Sequence, residues 1–264
     1  MDGVIFKQVG QYAICCIENL SSELKAALRD NLAQICHGAD LAGRNMAMFK
    51  YRATLNAFWD RYSTKDLNTR IGMLGELLAH IIILKKFDSF NVISPFFNME
   101  EKHIRKGFDI ILYEPASNEV WITEVKSGGA GKKTSCAATK ILLSKARDDL
   151  KGRLAESEMN HWLNAMNAAQ NSINGKAHYK ESVLQILNME GEKAYDETAA
   201  ASDNNVVLVS ALFNDPTKKV EEMTIAGFTE SLLAKPLFKK ILVLSLQKGT
   251  LQKLEEFLRI EAGR

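Results

Sequence analysis

The sequence is poor in cysteine, and its four cysteines, Cys15, Cys16, Cys36 and Cys136, show no paired spacing. No CxxC occurs, and adjacent Cys36 and His37 have poor geometry for sharing one zinc ion. The pattern argues against a disulfide scaffold and against a zinc module. It predicts reduced thiols in a cytoplasmic protein.

Long apolar runs and an excess of one charge are also lacking. The run at residues 81–84 is far too short to span a bilayer, and the first eleven residues hold no apolar core of the length found in secretory signals. We therefore expect a soluble protein without membrane association. The net charge of +2 does not indicate a nucleic-acid binder, so any basic surface has to be local.

What remains is the composition of an ordinary globular protein, with 46% hydrophobic and 25% charged residues. A chain of 264 residues fits one large domain, or a catalytic domain with a smaller attachment. We divide it into an N-terminal mixed segment, 1–66, packed on the core, and a main domain, 67–264. Neither part contains an internal repeat.

Hydrophobic periodicity predicts an α/β protein. Expected helices are 21–36 with Ser22 as N-cap, 49–62, 66–86 with Asn68 or Thr69 as cap, 135–156, two short ones after it, and 251–260. Expected strands are a strand or hairpin within 4–17, then 91–97, 108–113, 120–126, 206–213 and 241–246.

The strands 108–113 and 120–126 are joined by a turn-rich segment and predict a β-hairpin. If the turn is centred just after Ala116, opposed residues have numbers that sum to 233. This register pairs Asp109 with Glu124.

Asp109 and Glu124 would then be like charges directly opposite each other, which destabilises a sheet. Alternation along the strand puts Lys126 on the same face as Glu124. The rest of that face is apolar and consists of Ile111, Tyr113, Val120 and Ile122. Such a cluster favours a compensating cation, and Mg²⁺ suits it because Mg²⁺ takes oxygen ligands and keeps waters.

A further carboxylate, Glu76, lies on the predicted helix 66–86 among the small residues Gly72, Gly75 and Ala79. Glycine costs helix stability, so this group of small residues suggests that another backbone or a ligand approaches closely. His80 lies one turn later, and a packed or surface histidine is the favoured interpretation there.

Together these segments resemble the PD-(D/E)xK nuclease superfamily. The resemblance rests on Gly75-Glu76 in a helix, Gly107-Phe108-Asp109 opening a strand and Glu124-Val125-Lys126 ending the next. The literal Pro-Asp pair is absent, since Pro95 does not precede Asp109 directly. The GFDI…WITEVKSG pattern is more narrowly similar to the nuclease subunit of Hachiman-type anti-phage defence, the HamA-like proteins.

The resemblance implies a restriction-endonuclease-like core, a central mixed β-sheet flanked by helices. It also implies the catalytic set Glu76, Asp109, Glu124 and Lys126. Mg²⁺ or Mn²⁺ would be held by Asp109, Glu124 and the Val125 carbonyl, with Glu76 binding directly or through water. Lys126 would orient or help to deprotonate the attacking water and steady charge on the phosphate; its neighbouring carboxylates favour the second role, because they keep it protonated.

Positive charge is concentrated after this hairpin: residues 126–151 hold seven Lys or Arg against two Asp. A solvated helix face and a surface that tracks a phosphate backbone both remain open as interpretations. The candidate nucleic-acid-binding residues are Lys132, Lys133, Lys140, Arg147 and Lys151, with Lys102, Arg105 and Lys106 before Asp109. The Gly-rich segment 127–134 lacks the spacing of a nucleotide-binding P-loop.

The sequence thus predicts a Mg²⁺-dependent endonuclease acting on DNA in phage defence or restriction. An RNA-directed nuclease, or a non-catalytic nucleic-acid-binding or assembly subunit on the same fold, are the alternatives. The chain contains no recognisable helicase or methyltransferase segment, so we expect control by a partner protein, such as a helicase encoded nearby.

Overall fold

The computed structural model describes residues 1–96, 107–156, 159–249 and 251–264. The strands found there are β1 (Val4–Val9), β2 (Tyr12–Ile17), β3 (Asn91–Val92), β4 (Ile110–Glu114), β5 (Glu119–Gly129), β6 (Asn205–Phe213) and β7 (Lys240–Lys248). They form one seven-stranded sheet in the order β1-β2-β7-β6-β5-β4-β3. The central neighbours β2, β7, β6 and β5 are parallel, and an antiparallel strand or pair closes each edge.

Helices cover both faces of this sheet. They are α1 (Ser22–His37), α2 (Ala39–Gly43), α3 (Tyr51–Tyr62), α4 (Leu67–Lys86), α5 (Ser135–Ala155), α6 (Asn160–Ser172), α7 (Lys180–Tyr195), α8 (Glu222–Leu233) and α9 (Leu251–Glu261). The fold is therefore mixed α/β, as expected. The succession α4, β3, β4, β5, α5 and, after two further helices, β6 is compatible with a restriction-endonuclease-like core.

Two hydrophobic cores form because alternate residues of each strand point to opposite faces. The α4 face carries Ile110, Leu112 and Trp121 under α1, α3, α4 and α9. The α5 face carries Ile111 and Ile122 under α5, α6, α7 and α8. Because β2 pairs with β7, residues 1–66 share the sheet and the first core with the rest of the chain.

Helix α4 is the apolar centre of the first core. By length and composition alone it could cross a membrane, since its mean hydropathy is 1.4 over 18 residues. Half of that window is buried inside the protein, and Leu77, Leu78, Ile81 and Ile82 have no exposure. Packing against the sheet thus accounts for its apolar composition.

Several boundaries differ from those expected. The helix caps are Ser21, which accepts from the Leu24 N–H, and Asp66, which accepts from the Thr69 N–H, so the predictions of Ser22 and of Asn68 or Thr69 were wrong by one to three residues. A cap has to lie just outside the helix, where its side chain can turn back onto a free N–H.

Several strands also have other lengths than predicted, and two helices were missed. Strand β5 continues through the glycines to Gly129, because β6 pairs with it over that whole length. Strand β3 has only two residues, and residue 97 lies outside the described part. Helices α2 and α8 were not predicted: α2 has only five residues, and two polar threonines weaken the helical pattern of α8.

Candidate active site

The predicted hairpin register is confirmed: Ile111 pairs with Ile122 and Tyr113 with Val120. The ladder between β4 and β5 ends at Ile110 and Thr123, whereas β5 continues to Gly129 beside β6. Beyond the last backbone pair, the Asp109 side chain replaces a backbone partner, because its Oδ2 accepts a hydrogen bond from the Val125 N–H at 2.7 Å. Within the described part of the chain, the second half of β5 therefore has no strand neighbour on the side that begins at Asp109.

Glu124 lies at this transition and is almost completely buried, with 1% exposure. Its Oε1 is 2.7 Å from the Lys126 ammonium, and its Oε2 accepts from the Arg153 guanidinium of α5. Lys126 also contacts Asp149, with Nζ and Oδ2 2.6 Å apart. The four side chains form a row of alternating charge, Asp149, Lys126, Glu124 and Arg153.

Burial raises the pKa of Glu124 to about 7, and repulsion from Asp109 acts in the same direction, while Arg153 and Lys126 oppose both. Burial alone would lower the pKa of Lys126, yet attraction from Glu124 and the contact with Asp149 outweigh it, and the pKa is raised. Lys126 is therefore held as a cation. Two carboxylates close enough to repel each other mark the place where added positive charge is most favourable.

The residues present fit a divalent cation in their chemistry. Asp109, Glu124 and the Val125 carbonyl are oxygen donors, the ligands that Mg²⁺ prefers. The Val125 carbonyl lies on the same side of β5 as its N–H, past the last β4 pair. Among the described residues, no three acidic, histidine or cysteine side chains could hold a metal by themselves. The carbonyl, waters and substrate phosphate would have to complete the shell.

Glu76 lies on the other side of the sheet. It follows Gly75 on α4, and a Cβ at Gly75 would lie 1.9 Å from the Ser127 Oγ and 3.0 Å from the Ala211 Cβ. The close approach expected here is thus confirmed for Gly75, whereas Gly72 has no neighbour within 4 Å. Glu76 is half-buried on the α4 face, while Glu124 and Lys126 face α5.

His80 is a packed core histidine, as expected. It has no exposure, its ring meets Phe96 edge-on, and burial lowers its pKa to about 3. The four cysteines are free, three of them buried.

The predicted basic residues divide into two groups. Lys132, Lys133, Lys140 and Lys151 are exposed after β5 or on α5, whereas Arg147 is half-buried and pairs with Asp148 at 2.7 Å. Gly131, with φ of +58°, turns the chain from β5 into this segment. Lys102, Arg105 and Lys106 lie outside the described residues.

Sequence reasoning missed Asp149 and Arg153. They are four residues apart, so they project from one face of α5 beside its buried residues Ala146 and Leu150. Charges that border an apolar stripe were the available signal. Their partners are 23 and 29 residues away in the chain, and only the packing of α5 on β5 brings them together.

The fold and the site together define a mixed α/β protein with a buried carboxylate–lysine cluster where β5 extends past its ladder with β4. The HamA family model matches residues 8–258, nearly the whole chain. The chain belongs to the HamA family, a component of Hachiman anti-phage systems, and this membership supports a role in defence with further components. A comparison with curated proteins finds no match.

Proposed function

We propose that this chain is a divalent-metal-dependent nuclease that cleaves DNA in the bacterial cytoplasm during anti-phage defence. The observation that carries the proposal is the buried Glu124, opposed by Asp109 and paired with Lys126 where β5 loses its β4 neighbour. A chain that served only as a scaffold would gain nothing from burying a carboxylate against another one, because that arrangement costs stability. This argues against a non-catalytic subunit.

Asp109, Glu124 and the Val125 carbonyl would hold Mg²⁺ or Mn²⁺, and Glu76 would bind through water from the α4 side. A bound divalent ion supplies a water of lowered pKa and neutralises charge on the phosphate. Lys126 is a cation fixed by Glu124 and Asp149, so its role would be to stabilise negative charge on the phosphoryl oxygens. A protonated lysine is a poor general base.

DNA would reach this edge along α5. Exposed lysines at positions 132, 133, 140 and 151 lie after β5 on the way to that helix or along it. Contacts of this kind bind the phosphate backbone without reading sequence, so targeting would depend on a second protein, such as a helicase encoded nearby.

The first test is cleavage by site variants. Glu124→Ala and Lys126→Ala should each reduce Mg²⁺- or Mn²⁺-dependent nicking of plasmid DNA on the order of 10³-fold, because each removes a group that acts on the reacting phosphate. Glu119→Ala is the matched control: it removes a glutamate with two lysine partners from the same strand, outside the site. Each protein is assayed alone and with its genomic neighbour.

Circular dichroism confirms the fold of each variant. Full nicking activity in folded Glu124→Ala would refute the site. A metal-dependent activity that is lost in the same variants but acts on RNA alone would identify an RNA-directed nuclease.

A further inference from the structure

Both carboxylate oxygens of Glu124 are occupied by cations of the chain itself. Lys126 contacts Oε1 and Arg153 contacts Oε2. The proposed role of Lys126 explains the first contact, since Lys126 belongs to the site. Arg153 comes from α5, and nothing in that role requires it at Glu124.

Arg153 also joins two parts of the site. Besides Glu124, its guanidinium donates a hydrogen bond to the Gly107 carbonyl at 3.1 Å, two residues before Asp109. It therefore bridges β5 to the chain that carries the opposing carboxylate. With 15% of its side chain exposed, Arg153 lies at the border between the core and solvent.

The charges around Glu124 show what this bridge does. The cluster contains three carboxylates and two cations. The carboxylates are Asp109, Glu124 and Asp149, and the cations are Lys126 and Arg153. Arginine stays protonated at any accessible pH, so proton loss cannot remove this competition. A divalent cation that binds Glu124 meets a fixed positive charge already in contact with that carboxylate.

We propose that Arg153 is a built-in counter-ion that closes the site in the metal-free state and competes with a divalent metal for Glu124. The proposal rests on the proposed function, because it takes Glu124 as a metal ligand. Metal binding then requires the guanidinium to leave Oε2 and the Gly107 carbonyl. Arg153 thereby keeps the affinity for metal low until the site is needed.

The direct test is metal affinity, measured by calorimetry with Mn²⁺ on the full chain. Arg153→Met keeps an unbranched apolar stem and removes the charge, so Mn²⁺ should bind about tenfold more tightly, a typical size for a coupling between two binding events. Arg153→Lys keeps the charge and should bind Mn²⁺ nearly as the wild type does. The matched control is Arg147→Met, on the same helix and paired with Asp148, which should leave the affinity unchanged.

A second measurement uses the unaltered protein, in case Arg153→Met does not fold. Phenylglyoxal modifies accessible guanidinium groups, and mass spectrometry reports the extent at each arginine. Saturating Mn²⁺ should increase labelling of Arg153 several-fold and leave Arg147 unchanged. Equal labelling of Arg153 with and without Mn²⁺ would overturn the proposal.

The outcomes separate this proposal from the proposed function. Binding of Mn²⁺ to the wild type that is not tightened, or is weakened, in Arg153→Met refutes the counter-ion and leaves the nuclease site standing. Binding that appears only in Arg153→Met supports the counter-ion strongly. If neither protein binds Mn²⁺, both proposals are wrong.

Discussion

Strand β5 holds two glutamates that each touch two cations, and their pKa values move in opposite directions. Glu119 at its start contacts Lys239 at 3.0 Å and Lys240 at 2.5 Å. Burial tends to raise its pKa, but the hydrogen bonds from Lys240 and Lys239 outweigh this and lower it to about 2. Glu124, five residues later, has its pKa raised to about 7 by burial and by Asp109.

The two glutamates have the same number of cationic partners but differ in their surroundings. The first half of β5 lies between β4 and β6, and Glu119 keeps 17% of its side-chain exposure at a surface where water screens charge. In the second half Glu124 is buried and faces another carboxylate across the gap that β4 leaves. At Glu119, ion pairs stabilise the end of a strand. At Glu124, similar ion pairs leave negative charge that a further cation can neutralise.

The largest expected effect concerns the packing that holds the second half of β5 in place. Gly75→Ala should destabilise the protein by about 1–3 kcal/mol, because the added Cβ would overlap Ser127. Gly72→Ala has open space and should instead stabilise α4 by about 0.5–1 kcal/mol through helix propensity. Urea denaturation measures both.

Combining Gly75→Ala with Ser127→Gly separates overlap from other causes. The double variant should recover part of the loss, with a coupling energy of at least about 0.5 kcal/mol. Additive effects of the two substitutions would show that α4 does not depend on this contact.

The next prediction removes the repulsion from Asp109 that adds to burial in raising the pKa of Glu124. Asp109→Asn keeps an oxygen that can accept from the Val125 N–H but loses the charge facing Glu124. Without metal it should melt a few degrees higher than the wild type, roughly 1 kcal/mol in stability. The increase in Tm caused by Mn²⁺ should shrink, since one ligand charge is lost. An equal increase in both proteins argues against coordination by Asp109.

Glu119 predicts a pH dependence of stability. A carboxyl whose pKa is lowered on folding contributes stability above its unfolded pKa, and that contribution is lost as the pH falls towards the folded value. Glu119→Gln should therefore cost about 1 kcal/mol at pH 7, in line with two surface ion pairs. The difference from the wild type should disappear between pH 4.5 and about 2. A difference in stability that stays constant over that pH range would contradict the lowered pKa of Glu119.

The smallest expected effect concerns the approach of DNA to the second half of β5. Lys140→Glu with Arg147→Glu should weaken DNA binding several-fold and flatten its salt dependence, because fewer counterions are released. Binding is measured in Ca²⁺ at several salt concentrations. Exposed Lys176→Glu with Lys235→Glu, off this helix, gives the same charge change as a control. Equal losses in both pairs would indicate net charge alone.

Much of this site could be predicted from sequence because its information is local. The register of the hairpin follows from one turn and from the two-residue alternation of side chains, and the structure keeps it from the pair Ile110–Thr123 to the pair Glu114–Glu119, one position short of Asp109 and Glu124. The small residue Gly75 next to Glu76 likewise indicated that another part of the chain lies close to α4.

What the sequence could not supply depends on how distant elements pack. Arg153 and Asp149 acquire their partners only when α5 settles on β5, and similar charges on a helix surface are usually solvated. The length of β5 depends on β6, about 80 residues later, which overrides the low strand propensity of its glycines. Helix caps were displaced because several adjacent Ser, Thr, Asp and Asn residues can each accept from a free N–H.

The pairing of β2 with β7 sets an order of assembly during synthesis. Tyr12 leaves the ribosome 231 residues before its partner Val243, which corresponds to a wait on the order of tens of seconds at typical elongation rates. The partners of β5 are complete once residue 213 has emerged, so the strand that carries Glu124 can be enclosed first. The hairpin of β1 and β2 is synthesised first but joins the sheet among the last elements. Until then, the inner edge of β2 must be kept from pairing with other chains.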